Sequence, residues 1–334
     1  MTHELELPMG AGQDIDQLPS ERGPSVTAAV VAATLLLLRN DPDLGHLVDP
    51  NALAPLERAV RKVVPAMGGL LDHIPWPLLR RAALGVERIV SPGFVAHYAL
   101  RKSVIRAELR RAFEEGHRQV VLLGAGFDML STCLPTEARV FEVDHPATQA
   151  AKKQALGSSS PGRHGFVSAD LAVEDLRDAL LRAPGFDPAR DTVYVAEGLL
   201  MYLTPARVAA LLCDLDGRGP HRTRVVMTVI TPDRDGAYRL HTQRRVVDAC
   251  MRGLDEPFVW GTSRESLPAL LAFYGLCPAR ITSTFELKDS HFPERARRRL
   301  PRPTGELVVV ADGLGAPAGR RVEMTHLPLD ERKP

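Results

Sequence analysis

The stretch Val120-Val121-Leu122-Leu123-Gly124-Ala125-Gly126-Phe127-Asp128 decides the fold. Four apolar residues, two of them β-branched, run without a polar break into a Gly-x-Gly bend. A short continuous apolar run closed by glycine reads as a strand buried on both faces, the pattern of a parallel sheet. Glycine permits positive φ and lets a ligand approach the backbone closely. In a parallel sheet the bend lies at the carboxyl edge, where α/β proteins bind ligands.

The pattern repeats downstream. Residues 139–144, 165–170, 192–197 and 224–230 read as further strands, followed by 280–286 and 306–311. Helical segments are expected between them over 149–156, 172–181, 205–215, 238–254 and 263–274. Strands alternating with helices predict an α/β fold: a Rossmann-like, mostly parallel seven-stranded sheet with helices on both faces. Upstream, residues 26–38, 53–67, 78–90 and 97–113 have helical periodicity, and Asn40-Asp41-Pro42-Asp43 stops the first of them. We therefore expect a flexible tail over 1–20, a helical N-terminal cap or lid over 21–115, and a ligand-binding α/β domain over 116–334 with a helical insertion at about 232–275. The arginine- and proline-bearing run 291–303 reads as a solvated surface loop.

Composition narrows the partners. The 334 residues carry a formal net charge of +1, so no global field favours nucleic acid or an anionic membrane, and a small molecule is the expected partner. The apolar run 26–38 is well short of the ~20 residues a membrane span needs. The N-terminus, with Glu4, Glu6, Asp14 and Asp16, lacks the basic start and apolar core of a signal peptide. Cys133, Cys213, Cys250 and Cys277 are scattered and form no Cys-x-x-Cys pair, so neither zinc nor a disulfide framework is expected. A reducing, cytoplasmic location follows from these readings, and no metal is expected.

Chemistry gathers at the strand ends. The second strand closes as Phe141-Glu142-Val143-Asp144, about twenty residues after the bend, where a carboxylate can accept hydrogen bonds from both ribose hydroxyls. Glu142 and Asp144 share one face because side chains alternate, and Asp144, nearest the end, is favoured for the ribose. The third ends in Ser168-Ala169-Asp170-Leu171, which offers an acceptor for an adenine amine and an apolar side chain for the purine face. The fourth ends in Ala196-Glu197-Gly198, with Tyr202 just beyond. The NAD fingerprint fails, because Met129 stands where that motif requires Gly or Ala. A nucleoside without phosphates, S-adenosylmethionine, does not need that close helix approach.

These motifs resemble the leucine carboxyl methyltransferase family of class I S-adenosylmethionine-dependent O-methyltransferases. The resemblance is carried by Leu123-Gly124-Ala125-Gly126-Phe127-Asp128, by Phe141-Glu142-Val143-Asp144-His145-Pro146 and by Ala196-Glu197-Gly198-Leu199-Leu200-Met201-Tyr202-Leu203. Pro257-Phe258-Val259-Trp260-Gly261 is similar to a late family segment. The resemblance implies that Gly124, Ala125 and Gly126 face the methionine part of the cofactor, Asp144 holds the ribose, and Asp170 and Leu171 read the adenine. It further implies that Glu197 and Gly198 lie near the amino group and that Arg101, or Lys102 if the register slips, contacts a carboxylate. Cys133 stands before Leu134 where many relatives carry an arginine, which removes that arginine's role here.

The resemblance also implies the reaction, with S-adenosylhomocysteine as product. A sulfonium makes its methyl carbon electrophilic, so the protein has mainly to align the reacting atoms and exclude water. A carboxylate acceptor needs no general base, whereas a hydroxyl does. His97, Tyr98 and Tyr202 are the candidates on the acceptor side. The acceptor is expected to be a small, natural-product or polyketide-like molecule, with a protein's C-terminal carboxylate as the alternative.

Overall fold

Complete burial, with no alternation, distinguishes the central strands. In the computed structural model, which describes residues 23–73, 76–156, 164–215, 220–292, 294–298 and 304–315, all five residues of β1 (Gln119–Leu123) and all five of β4 (Thr192–Ala196) are buried. With β2 (Arg139–Asp144), β3 (His164–Ser168), β5 (Thr223–Ile230), β6 (Leu276–Ser283) and β7 (Glu306–Gly313) they form a seven-stranded sheet in the order β3-β2-β1-β4-β5-β7-β6. Strands β1 to β5 pair in parallel, and β7 runs antiparallel to both β5 and β6. The predicted mostly parallel Rossmann-like sheet is therefore present. The tail expected over 1–20 lies outside the described residues.

Twelve helices surround the sheet among the described residues: α1 (Val26–Leu36), α2 (Pro50–Val63), α3 (Pro65–His73), α4 (Trp76–Val90), α5 (Phe94–Glu114), α6 (Pro146–Leu156), α7 (Leu176–Leu181), α8 (Pro205–Asp214), α9 (Arg245–Gly253), α10 (Leu267–Phe273), α11 (Thr284–His291) and α12 (Glu294–Arg297). The period-two side-chain rule sorts them onto two faces. Val121 and Leu123 join a core with Leu176 of α7, Leu211 of α8 and Leu271 of α10. Val120 and Leu122 face the other way, onto Ile105 and Leu109 of α5. No described helix is long and apolar enough to cross a membrane.

The connection from β1 to β2 departs from a dinucleotide fold. No α-helix follows the glycine bend among the described residues, only a single 3-10 turn over Leu130–Cys133. Phe127 and Met129, which leave the bend, are buried with Ala29, Ala32 and Leu36 of α1, Leu56 of α2 and Ala151 of α6. The residue that breaks the NAD fingerprint is thus core for the N-terminal helices, and those helices are fastened directly onto the bend.

Several predicted boundaries shift for local reasons. The strand expected over 280–286 ends at Ser283, because Ser283 and Glu286 form a reciprocal capping box that starts α11. The helix expected from 238 begins only at Arg245. Before it, Asp233 and Asp235 accept backbone N–H bonds from Arg234 and Ala237, and both bind Arg239, which holds the chain in turns. The helix expected over 53–67 starts earlier, at Pro50 behind the Asp49 cap, and gives way to α3 at Pro65. The run 291–303 is not simply a loop, since Phe292 is buried and α12 follows it; residues 299–303 lie outside the described set.

One buried ion pair ties β2 to α6. Glu142 and the Lys152 ammonium, each about 1% exposed, lie 2.6 Å apart, and His164 of β3 approaches Glu142 at 3.0 Å. Burial alone would raise the Glu142 carboxyl, but Lys152 and His164 outweigh it and hold it at about 2. Lys152→Met should cost about 3–5 kcal/mol in urea unfolding, because it strands a buried carboxylate. A Glu142→Leu/Lys152→Met double variant should regain most of that loss in the same measurement.

Candidate cofactor and acceptor site

The bend after β1 is shaped by what surrounds it. Gly124 and Gly126 have φ of +59° and +45°, values that side-chain-bearing residues rarely adopt. A Cβ on Gly124 would sit 2.9 Å from Leu199 Cδ1, and one on Gly126 would sit 3.2 Å from the Ala28 Cβ of α1. The glycines therefore let Leu199 and the covering helix α1 pack directly onto the bend.

Asp144 braces the bend from β2. Its Oδ2 accepts the Gly126 N–H, and its Oδ1 accepts the His145 N–H at 2.6 Å. Burial pushes the Asp144 carboxyl up to about 6, against the pull of the Gly126 amide and the Lys152 charge. At the end of β3, Asp170 Oδ1 accepts the Ala172 N–H at 3.0 Å, and Leu171 is buried beside it. Glu197 closes β4, and Gly198 continues at φ +62° with its N–H on Thr228 Oγ1 at 2.9 Å.

A buried ionic network joins these ends to α5 and β7. Arg101 Nε donates to Glu197 at 2.7 Å, and its Nη1 donates to both oxygens of Glu306 at 2.9 and 3.0 Å. Lys102 Nζ lies 2.8 Å from Glu197 and 2.6 Å from Asp128 of the glycine motif. The Arg101 guanidinium lies 4.0 Å from the Tyr98 ring centre. For Glu306, burial would raise the carboxyl, but Arg101 and His97 hold it at about 2. Burial also raises the phenols, Tyr98 to about 12 and Tyr202 well above its ordinary value, so both stay protonated at neutral pH.

One cavity of about 700 Å³ receives most of the expected residues. Arg101, Gly124, Ala125, Gly126, Asp144, Asp170, Leu171, Glu197 and Gly198 line it, as do Tyr98 and Tyr202. That volume falls within the ~300–1,000 Å³ of pockets for drug-sized ligands. His97 is the exception. It is fully buried outside the cavity, with Nε2 at 2.5 Å from Glu306 and Nδ1 at 2.7 Å from Thr284. Its ring is turned towards β7 because Glu306 captures it there, so it positions Glu306 and does not meet an acceptor. Trp76 likewise lies outside the cavity and buttresses the α1/α2 core. Glu306 and Glu256 were missed from sequence. Glu306 lies 205 residues from Arg101 and opens a strand, where no local motif marks it. Glu256 lines the cavity and accepts the Thr27 N–H of α1 at 3.1 Å.

Comparison with known proteins shows the family and the fold. The family model for leucine carboxyl methyltransferase matches residues 38–215, and the chain belongs to that family. A protein of Mycobacterium bovis (strain BCG / Pasteur 1173P2), provisionally named for S-adenosyl-L-methionine-dependent methyl transfer, is 34% identical over 290 residues, covering 85% of this chain and 90% of that protein. A protein of Parafrankia sp. (strain EAN1pec) with the same kind of name is 35% identical over 209 residues, 61% of this chain; the match spans 63% of that relative's length, under two thirds. The crystal structure of a provisionally named methyltransferase from Thermobifida fusca YX shares the fold, with a TM-score of 0.54 at 16% identity over 87% of this chain and 95% of that one.

The depressed carboxyls fix an acid limb of stability. Glu142 and Glu306 are held at about 2 against an ordinary 4.5. Their contribution is present above the unfolded-state value and is lost as pH falls from there towards 2. The urea midpoint should decline through that window, and Glu306→Gln should make the decline shallower.

Proposed function

We propose that the protein is an S-adenosylmethionine-dependent O-methyltransferase acting on a carboxylate or hydroxyl oxygen of a small-molecule acceptor. The observation that supports this reading most is the convergence of the glycine bend, Asp144, Asp170 and Glu197 on one cavity beneath α1. The bend carries no following α-helix and so no helix N-terminus for a pyrophosphate. The residues fit a phosphate-free nucleoside: a glycine bend whose backbone lines the cavity, a carboxylate for the ribose and an Asp-Leu pair for the base.

The bound cofactor would supply an activated methyl group on a cationic sulfur. The chain's own part is to hold and to exclude water. Asp144 would accept the ribose hydroxyls, Asp170 and Leu171 would fit the adenine, and the Arg101–Glu197 pair would meet the amino-acid end. Helix α1 contributes Val26, Val31 and Leu35 to the far wall, an apolar cover suited to a small acceptor. A C-terminal peptide, the acceptor that the family name suggests, would have to thread beneath that cover.

Calorimetry with S-adenosylmethionine tests the reading, and a transfer assay over phenolic acids and C-terminal peptides tests the acceptor; turnover on peptides alone would refute the small-molecule assignment. Asp144→Ala should weaken cofactor binding by about tenfold or more, the scale of losing a charged hydrogen bond. Because ribose hydroxyls donate to the ionised form, wild-type affinity should fall as pH drops through about 6. It should be about tenfold lower at pH 5 than at pH 7. Unchanged affinity in either experiment would remove Asp144 from the ribose site.

A further inference from the structure

The charges around the cavity are unequal. Six carboxylates line it: Asp128, Asp144, Asp170, Glu197, Asp255 and Glu256. Two lysine or arginine cations line it, Arg101 and Lys102, and each is already shared between two carboxylates. A sulfonium-bearing cofactor is welcome in such a field, because its positive charge meets an acidic surround. An acceptor that enters as an anion meets the opposite. Without an uncommitted cation among the described lining residues, a carboxylate would be desolvated next to like charge, which costs several kcal/mol.

The acceptor side adds a geometric feature. We assign to it the apolar lining residues Val26, Val31 and Leu35 of α1, Met201, Pro257 and Val259. Into this apolar wall the segment before Pro257 brings Glu256, whose Oε2 accepts the Thr27 N–H at 3.1 Å. Thr27 lies in the first turn of α1, which has no acidic residue of its own. Glu256 thus stands fixed between the cover helix and the cavity, with its second oxygen left to accept a proton donor. Tyr98 and Tyr202 remain protonated there and are not available as bases.

We infer that the acceptor is a neutral, largely apolar molecule methylated on a hydroxyl, with that hydroxyl donating to Glu256. The inference rests on the methyltransferase reading and narrows its acceptor. In the step, the acceptor oxygen bonds the methyl carbon while the carbon–sulfur bond breaks with its electron pair going to sulfur. The hydroxyl proton passes to Glu256, so the positive charge lost from sulfur is matched by the negative charge lost from the carboxylate. The product is an ether.

Two isomeric probes test this on the full chain loaded with S-adenosylhomocysteine: methyl para-hydroxybenzoate, a neutral phenol, and para-methoxybenzoate, a carboxylate of the same atoms. By calorimetry at neutral pH the phenol should bind at least about tenfold more tightly. Glu256→Gln should narrow that gap by about fivefold or more by easing the carboxylate's entry, with S-adenosylhomocysteine affinity unchanged within about twofold. In the transfer assay with methyl-labelled S-adenosylmethionine and methyl para-hydroxybenzoate, the transferred label is expected in an ether that mild alkali does not cleave. Equal or tighter binding of the carboxylate, failure of the phenol to bind, or release of the transferred label by mild alkali each overturns the inference while the methyltransferase reading stands. Failure of S-adenosylhomocysteine to bind overturns that parent reading and this inference together. If Glu256→Gln does not fold, the two probes on the wild-type protein still decide.

Discussion

Arg101 is held by two carboxylates that come from opposite directions of the chain, Glu197 at the end of β4 and Glu306 at the start of β7. All three side chains are at most about 5% exposed. Burying such a cluster is costly, and apolar replacements of equal volume often serve stability as well or better. What the cluster supplies is position. It pins α5 against the carboxyl edge of the sheet where β4 and β7 meet it, and His97 and Thr284 complete the setting from behind. The orientation of Glu197, the stacking of Tyr98 on the guanidinium and, through Lys102, the placement of Asp128 all follow from that one arrangement.

The same network decides what the cavity can attract. A guanidinium that met the cavity unpaired would invite an anion, and the family's name would then be a guide to the acceptor. Here both cations are committed to the scaffold, and the cavity keeps an excess of carboxylates. The ion pairs therefore fix position and, on the proposed reading, leave no lysine or arginine among the described lining residues free to attract an anion.

The cofactor edge was legible in sequence because its residues sit at fixed places in regular elements. A strand that ends in Gly-x-Gly, and three later strands that end in Asp144, Asp170 and Glu197, carry their chemistry within a few residues of a recognisable apolar run. Met129 was also legible as a break in the dinucleotide pattern, though its packing under α1 needed coordinates. His97 was misread for a physical reason. A histidine on a helix next to Tyr98 carries no mark of which neighbour takes its ring, and the neighbour proved to be Glu306, 209 residues away. Boundaries failed where side chains compete locally for the backbone, as at Ser283, Asp233 and Asp235.

The acceptor side was the least legible part, and its construction explains why. Its walls come from α1, from the end of β4 and from the segment around Pro257, which are joined by few and scattered bonds: Thr27 N–H to Glu256, the Thr27 hydroxyl to Met251 Sδ at 3.6 Å, and Val259 N–H to the Met201 carbonyl at 2.7 Å. None of these contacts has a sequence period. Glu256 and the α1 residues that line the cavity lie outside the buried ion pairs of Arg101, Lys102, Glu197 and Glu306. On the proposed reading the strand ends hold the cofactor, and the α1 and Pro257 segments add the contacts to the acceptor. Glu256, brought to the cavity by the Thr27 N–H and not by a strand end, is on the proposed reading the residue through which the acceptor would be chosen.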